Sequence, residues 1–143
     1  MGYSVVTQSK KGNQARFAPG KMMTLYEKIG GEPAVNAAVD IFYRKVLDDK
    51  ILAPMFAGVD MTAQNKKQRA FFTLLFRAEA VGVSEYMRKA HAHLVEEKGL
   101  SDIHFDAVAN HLNETLRELA VPEDLTAQIM SAAASLRNAV LNR

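Results

Sequence analysis

Four polar side chains in this sequence stand where helical spacing puts core. His91 shares a helix face with Met87, Leu94 and Val95, and Gln64 and Gln68 share another with Met61, Phe71, Phe72 and Leu75. Tyr43 sits beside Phe42 at the inner edge of a third helix. A neutral imidazole on an apolar face offers a lone pair to a metal, although such a face also suits a core histidine whose nitrogens are satisfied within the fold. Two amides one turn apart are costly to bury without partners. Either the first turns of their helix run along the surface, or a polar ligand is held inside an apolar pocket. In the second case Tyr43, Gln64 and Gln68 would be three hydrogen-bond donors aimed into one cavity.

The elements that must position these residues are all helical. Thr24-Leu25-Tyr26-Glu27 reads as a capping box opening a short helix that Gly30-Gly31 closes. Pro33 suits the first turn of the next, whose stripe is Val35, Ala38, Val39, Phe42 and Val46. Asp48-Asp49-Lys50 ends it, and Pro54 forces a bend before Phe56. Asp60 caps a helix to about Phe76, and after a loop with Gly82 the sequence places Ser84 as the cap of the helix carrying His91, which stops at Gly99. Asp102 starts a helix with Phe105, Val108, Ala109, Leu112 and Leu116 inward, and Pro122 begins a last one through Leu125, Ile129, Ala133, Leu136 and Val140. Sustained period-2 runs and hairpin dipeptides are absent. The expectation is an all-α domain of about six helices over residues 23–143, bent in a globin-like way rather than an up-down bundle.

Residues 1–22 hold Lys10, Lys11, Arg16 and Lys21 and no acid, whereas the other 121 carry 14 basic against 16 acidic side chains. The basic excess therefore belongs to an N-terminal extension, expected to be flexible or loosely helical, and gives no argument for a nucleic-acid partner. Val5-Val6 is too short for a secretory h-region, and Val6 stands where a myristoylation motif wants Ser or Thr. No stretch approaches a membrane span, so a cytoplasmic location is the default expectation. Without cysteine there is no thiolate ligand or nucleophile. His-Glu-x-x-His, Ser-His-Asp and phosphate-loop patterns are also missing, which argues against zinc and hydrolase chemistry. Among the other histidines, His93 points to a different side of its helix, His104 is placed to bond a neighbouring element, and His111 falls off its stripe and is expected to be solvated. The company His91 keeps favours haem over a plain core histidine: haem takes an imidazole ligand and apolar walls, and Phe42, Phe56, Phe71, Phe72 and Met87 lie near the two anomalous stripes.

From about Thr24 to Arg143 the chain resembles a group I truncated haemoglobin. The similar segments are Leu25–Gly31, Phe42–Leu47, Phe56 with Val59-Asp60-Met61, Gln68-Arg69-Ala70-Phe71, Tyr86–His91, Gly99-Leu100 before His104–Ala107, and Val140-Leu141-Asn142. The resemblance implies a two-over-two helical sandwich around non-covalent haem b, with His91 as the proximal iron ligand. It implies that Phe56 packs on the porphyrin, that Tyr43, Gln64 and Gln68 form the distal polar set, and that Phe72 gates an apolar tunnel. The sequence departs from the family in three places. Arg77-Ala78 replaces a Gly-Gly pair after the distal helix. Leu136 stands where some cyanobacterial members carry a histidine that bonds a haem vinyl. Lys67 stands where some members have a distal histidine. Its ammonium would pair with a haem propionate, as would Arg88 on the other side; the alternative makes Lys67 a sixth iron ligand in the absence of gas.

The function implied is reversible binding of dioxygen and nitric oxide by ferrous haem. The same pocket would serve nitric oxide dioxygenation, which needs an external reductase because the sequence has no flavin or nicotinamide domain. A haem-free helical interaction or sensor domain is the reading from another class.

Overall fold

The computed structural model describes residues 24–77 and 83–143; the extension over 1–22, Ala78 and the loop at Gly82 lie outside the described residues. Helix α1 (Leu25–Ile29) opens on the Thr24 capping box, in which the Glu27 N–H donates to Thr24 Oγ1 at 3.1 Å and the Thr24 N–H to Glu27 Oε1 at 2.9 Å. Gly30, at φ 126°, turns the chain into α2 (Gly31–Leu47). A side chain there would be strained, and its Cβ would come within 3.2 Å of Ala34 Cβ. The expected stripe of α2 is buried, and Tyr43 is buried with it.

A 3-10 turn (Ala53–Phe56) carries Pro54 and ends on Phe56. Asp60 caps α3 (Met61–Phe76), its carboxylate accepting from the Thr62 and Ala63 N–H groups. Helix α4 (Ser84–Lys98) has Val83 rather than Ser84 at its N-cap, and Gly99 in the left-handed region ends it. Helix α5 spans Asp102–Glu118 and α6 Glu123–Ala134. The single last helix read from the sequence is two, because α7 (Arg137–Val140) follows a break at Ser135-Leu136. Ser135 Oγ donates to the Ala132 carbonyl at 2.6 Å, and the Leu136 N–H bonds three residues back to Ala133 rather than four. Side-chain competition for the ladder of this kind bends helices.

Helix α2 packs on α3 and α5, α5 on α6, and α3 on α6. Their shared core holds Val39, Phe42, Val46, Phe72, Phe76, Leu116 and Ile129, with Phe72 1% exposed. A second, smaller cluster joins Met87 of α4 to Leu136 at the break before α7 and Ala139 within it. Phe71 packs against both clusters. No strand occurs among the described residues, and no described helix is long and apolar enough to cross a membrane.

His111 corrects an expectation. It is not solvated: its Nε2 lies 2.6 Å from Asp49 Oδ2, and its Nδ1 is buried with no hydrogen-bond partner among the described residues. Glu114 stands 3.6 Å from that nitrogen and is itself 3.9 Å from Lys45. Asp49 also accepts from the Ile51 N–H at 2.8 Å, so the pair fastens α5 to the bend that leads to Phe56. The hydrogen bonds from His111 and Ile51 hold the Asp49 carboxyl below the usual carboxylate range. The folded state therefore binds that proton less readily than the unfolded chain. The resulting stability is complete above about pH 4, the unfolded value, and is lost as pH falls through the lower folded value. Urea melts should show Asp49→Asn less stable than wild type at pH 6, with the gap closing below pH 4. A gap unchanged down to pH 3 would contradict the assignment.

Candidate functional site

Helix α4 sets the orientation of His91 through its own backbone. His91 Nδ1 lies 2.8 Å from the carbonyl of Met87, one turn earlier. A carbonyl can only accept, so Nδ1 carries the proton and Nε2 keeps the available lone pair. Burial lowers the His91 pKa below its ordinary value, with the Met87 bond opposing and His93 adding slightly, so the ring is neutral near pH 7. Met87 is itself fixed, since its side chain is buried against Leu136 and Ala139. His91 is half-buried, whereas His93 is exposed as its position on the helix predicts.

Of the expected polar set, Tyr43 on α2 meets the Gln68 side chain and the Gln64 backbone on α3. Tyr43 Oη lies 3.3 Å from Gln68 Oε1 and 3.5 Å from the Gln64 carbonyl. Both are longer than an ordinary O–H···O bond, so the hydroxyl is shared weakly between two acceptors and is cheap to redirect. Burial pushes the phenol up from its ordinary value, so it stays a donor at neutral pH. Gln64 and Gln68 are half-buried. Aromatic edges fix the tyrosine: Phe42 at 5.7 Å and Phe56 at 5.9 Å, with Phe42 in turn 5.2 Å from Phe72.

Several expected residues fall elsewhere in the arrangement. Phe72 lies in the main core, stacked 6.1 Å from Phe76. Lys67 is exposed on α3. Arg88 is half-buried, with Nε 3.5 Å from Glu85 and Nη1 donating to the Arg143 carbonyl at 3.3 Å. His104 does not reach a neighbouring element; its Nδ1 accepts from the Ser101 N–H at 3.0 Å and completes the capping box of α5. Arg77 ends α3 with its guanidinium 4.5 Å over the Tyr26 ring. The Met87 carbonyl was not singled out from sequence, although a histidine facing inward from mid-helix always has a carbonyl four residues back within reach.

These residues fit a haem. One histidine has its tautomer fixed by a carbonyl, the chemistry expected of an axial ligand. Phe71 spans two separate apolar clusters, and a weakly bonded donor set stands on α2 and α3. A shortened all-helical fold with this site defines a small globin. Residues 24–142 match the family model described as bacterial-like globin. The chain is 50% identical over 112 residues to a group 1 truncated haemoglobin of Synechocystis, a match covering 78% of this chain and 90% of that one. A relative of the same description from Tetrahymena pyriformis is 40% identical over 72% of this chain and 82% of its own. Among solved structures, the 2/2 haemoglobin of Synechococcus with covalently attached haem superposes with a TM-score of 0.75 at 42% identity, covering 85% of this chain and all of that one. THB1 of Chlamydomonas reinhardtii gives 0.72 at 43% identity, covering 86% and 98%. The chain belongs to the bacterial-like globin family, as a group 1 truncated haemoglobin with the two-over-two fold. Membership implies haem and binding of small gases.

Proposed function

We propose that this protein holds haem b non-covalently through His91 Nε2 and retains diatomic gases, dioxygen and nitric oxide among them, with donors from Tyr43, Gln64 and Gln68. The observation that carries the reading is the His91–Met87 bond of 2.8 Å, which presents a neutral, oriented imidazole with one lone pair free. When bound, haem would supply an iron that binds diatomic gases, and His91 would hold it. The chain's residues do the rest. Phe42, Phe56, Phe71 and Met87 supply apolar walls that exclude water, and Phe72 guards the apolar route inward. Tyr43, whose contacts with Gln68 and Gln64 are long, would be free to donate to a gas that carries partial negative charge, and Gln68 would donate from its amide nitrogen.

Non-covalent attachment is supported by Leu136, a hydrocarbon side chain in the second cluster, and by the absence of cysteine from the sequence. Reduced protein exposed to carbon monoxide, and separately to dioxygen, should show two distinct absorption spectra, and acidified butanone should then extract all of the haem. Spectra unchanged by either gas would overturn the gas-binding reading, and colour left in the aqueous layer would overturn the mode of attachment.

Lys67 is proposed as a propionate partner at the pocket mouth, with Arg88 serving the other propionate through its remaining N–H groups. Exposure of Lys67 favours this over iron ligation, because its side chain lies open to solvent on α3 rather than in the core beside Tyr43. Ferric spectra of wild type and Lys67→Ala should then agree across alkaline pH, both high-spin. A low-spin wild type that becomes high-spin in the variant would make Lys67 the sixth ligand.

A further inference from the structure

Helix α4 carries His91, yet among the described elements its principal packing partner is the short α7 rather than the main core. Its far end is held loosely, by Lys98 Nζ at 3.4 Å from the Pro54 carbonyl and 3.5 Å from that of Ala57. The turn just before His91 is held more closely. Asn142 Nδ2 donates to the Arg88 carbonyl at 2.9 Å, and Arg88 Nη1 donates to the Arg143 carbonyl at 3.3 Å. Asn142 sits at φ 58°, a left-handed conformation that asparagine tolerates better than most residues but that the surroundings must impose.

Its own turn supplies that, through the Arg143 N–H bond to the Asn138 carbonyl at 2.9 Å, and a fork of charges on α5 holds Arg143 beside it. Arg143 Nη1 and Nη2 meet the two Asp102 oxygens at 2.8 and 2.9 Å, a bidentate pair. Arg137 reaches Asp102 Oδ1 at 2.9 Å and Asp106 Oδ1 at 2.6 Å, and its guanidinium lies 4.6 Å over the Phe105 ring. Arg143 Nε also donates to Asn138 Oδ1 at 3.2 Å. Two arginines thus converge on one carboxylate in fixed planes, and such a network resists displacement better than an isolated surface pair.

We infer that Asp102, acting through Arg137, Arg143 and Asn142, is a positioning residue for His91: the charged fork seats residues 137–143, and that segment sets the height and tilt of α4 beneath the cofactor. The chain of contacts is continuous. Asp102 fixes Arg143, Asn142 fixes the Arg88 carbonyl, and Leu136 with Ala139 seats Met87, whose carbonyl orients His91. This inference rests on the proposed role of His91 as iron ligand.

The test uses the full-length holoprotein. Resonance Raman of the deoxygenated ferrous form reads the iron–histidine stretch, and transfer of haem to an excess of a high-affinity apoglobin reads haem loss. In Asp102→Asn and Asn142→Ala the stretch should shift or broaden, and haem loss should quicken by about tenfold, the low end for loss of a group that orients a metal ligand. Asp102→Glu should restore the band. Because the fork is exposed, 1 M salt, where screening extends only about 3 Å, should move the band of wild type in the same direction and leave that of Asp102→Asn unmoved. Variants that melt earlier but keep the wild-type band and haem-loss rate would reduce the fork to a structural role and overturn the inference. So would a wild-type band indifferent to salt, which decides the matter even if a variant fails to fold. A five-coordinate wild-type ferrous haem with no iron–histidine band would instead overturn the ligand assignment on which the inference rests.

Discussion

Replacing His91 by glycine should abolish stable haem uptake at micromolar protein, and imidazole added to the buffer should restore it. Removing a group that only orients a metal ligand commonly costs 10- to 100-fold in affinity, so loss of the ligand itself should cost about 100-fold or more. The cavity left by the ring is suited to imidazole, because the Met87 carbonyl that accepted from Nδ1 remains to accept from the free base. Titration of the variant with haem, with and without imidazole, followed by absorbance, measures both effects. Uptake equal to wild type without imidazole would remove His91 from the iron. A core histidine, the plainer reading of the same helix face, would behave differently: its loss would lower the melting temperature, and added imidazole would leave the spectrum unchanged.

The second large effect is expected at Tyr43. Tyr43→Phe keeps the ring and its edge contacts with Phe42 and Phe56 and removes only the hydroxyl. A hydrogen bond to a partly charged acceptor contributes about 1.5–3 kcal/mol. Each 1.4 kcal/mol is a factor of ten, so dioxygen should leave the variant roughly 10- to 100-fold faster. Carbon monoxide, a poorer acceptor, should leave at a rate changed much less. Stopped-flow displacement of each gas measures the two rates. Equal acceleration of both would point to a wider pocket rather than a lost donor. Gln68→Ala should show the same selectivity with a smaller effect, since Tyr43 keeps the Gln64 carbonyl as a resting partner. If the gas pocket also turns over nitric oxide, rapid mixing of the oxygenated protein with nitric oxide under a reductant should yield nitrate, and a pocket without Tyr43 should yield less.

The helices were legible because their signals are local. Capping residues at Thr24 and Asp60, the Gly30 and Gly99 stops and the α2 stripe act within a turn or two, and each stands where the sequence puts it. The Tyr43–Gln68 contact was legible for another reason: two amides on an aromatic face need a partner, and a tyrosine on the neighbouring inner face can supply it. What escaped depends on pairs distant in the chain. His111 leaves its apolar stripe, which suggests solvent, but Asp49 approaches from 62 residues away and draws it in. Asp102 and Arg143 are 41 residues apart and look like ordinary surface charges until α5 and α7 are brought together. The break before α7 has a local cause in Ser135, yet the apolar spacing of Ile129, Leu136 and Val140 conceals it, because steps of seven and four both keep one helix face. His104 shows the opposite error. A long-range partner was expected where a bond to Ser101, three residues back, was enough.

Stepwise addition of haem to purified wild-type protein is the most direct test that His91 and its surroundings form a cofactor site. A sharp absorption band is expected that saturates at one haem per chain and shifts when the reduced protein meets carbon monoxide. A titration that gives only the broad spectrum of free haem, with no saturation, would contradict that assignment.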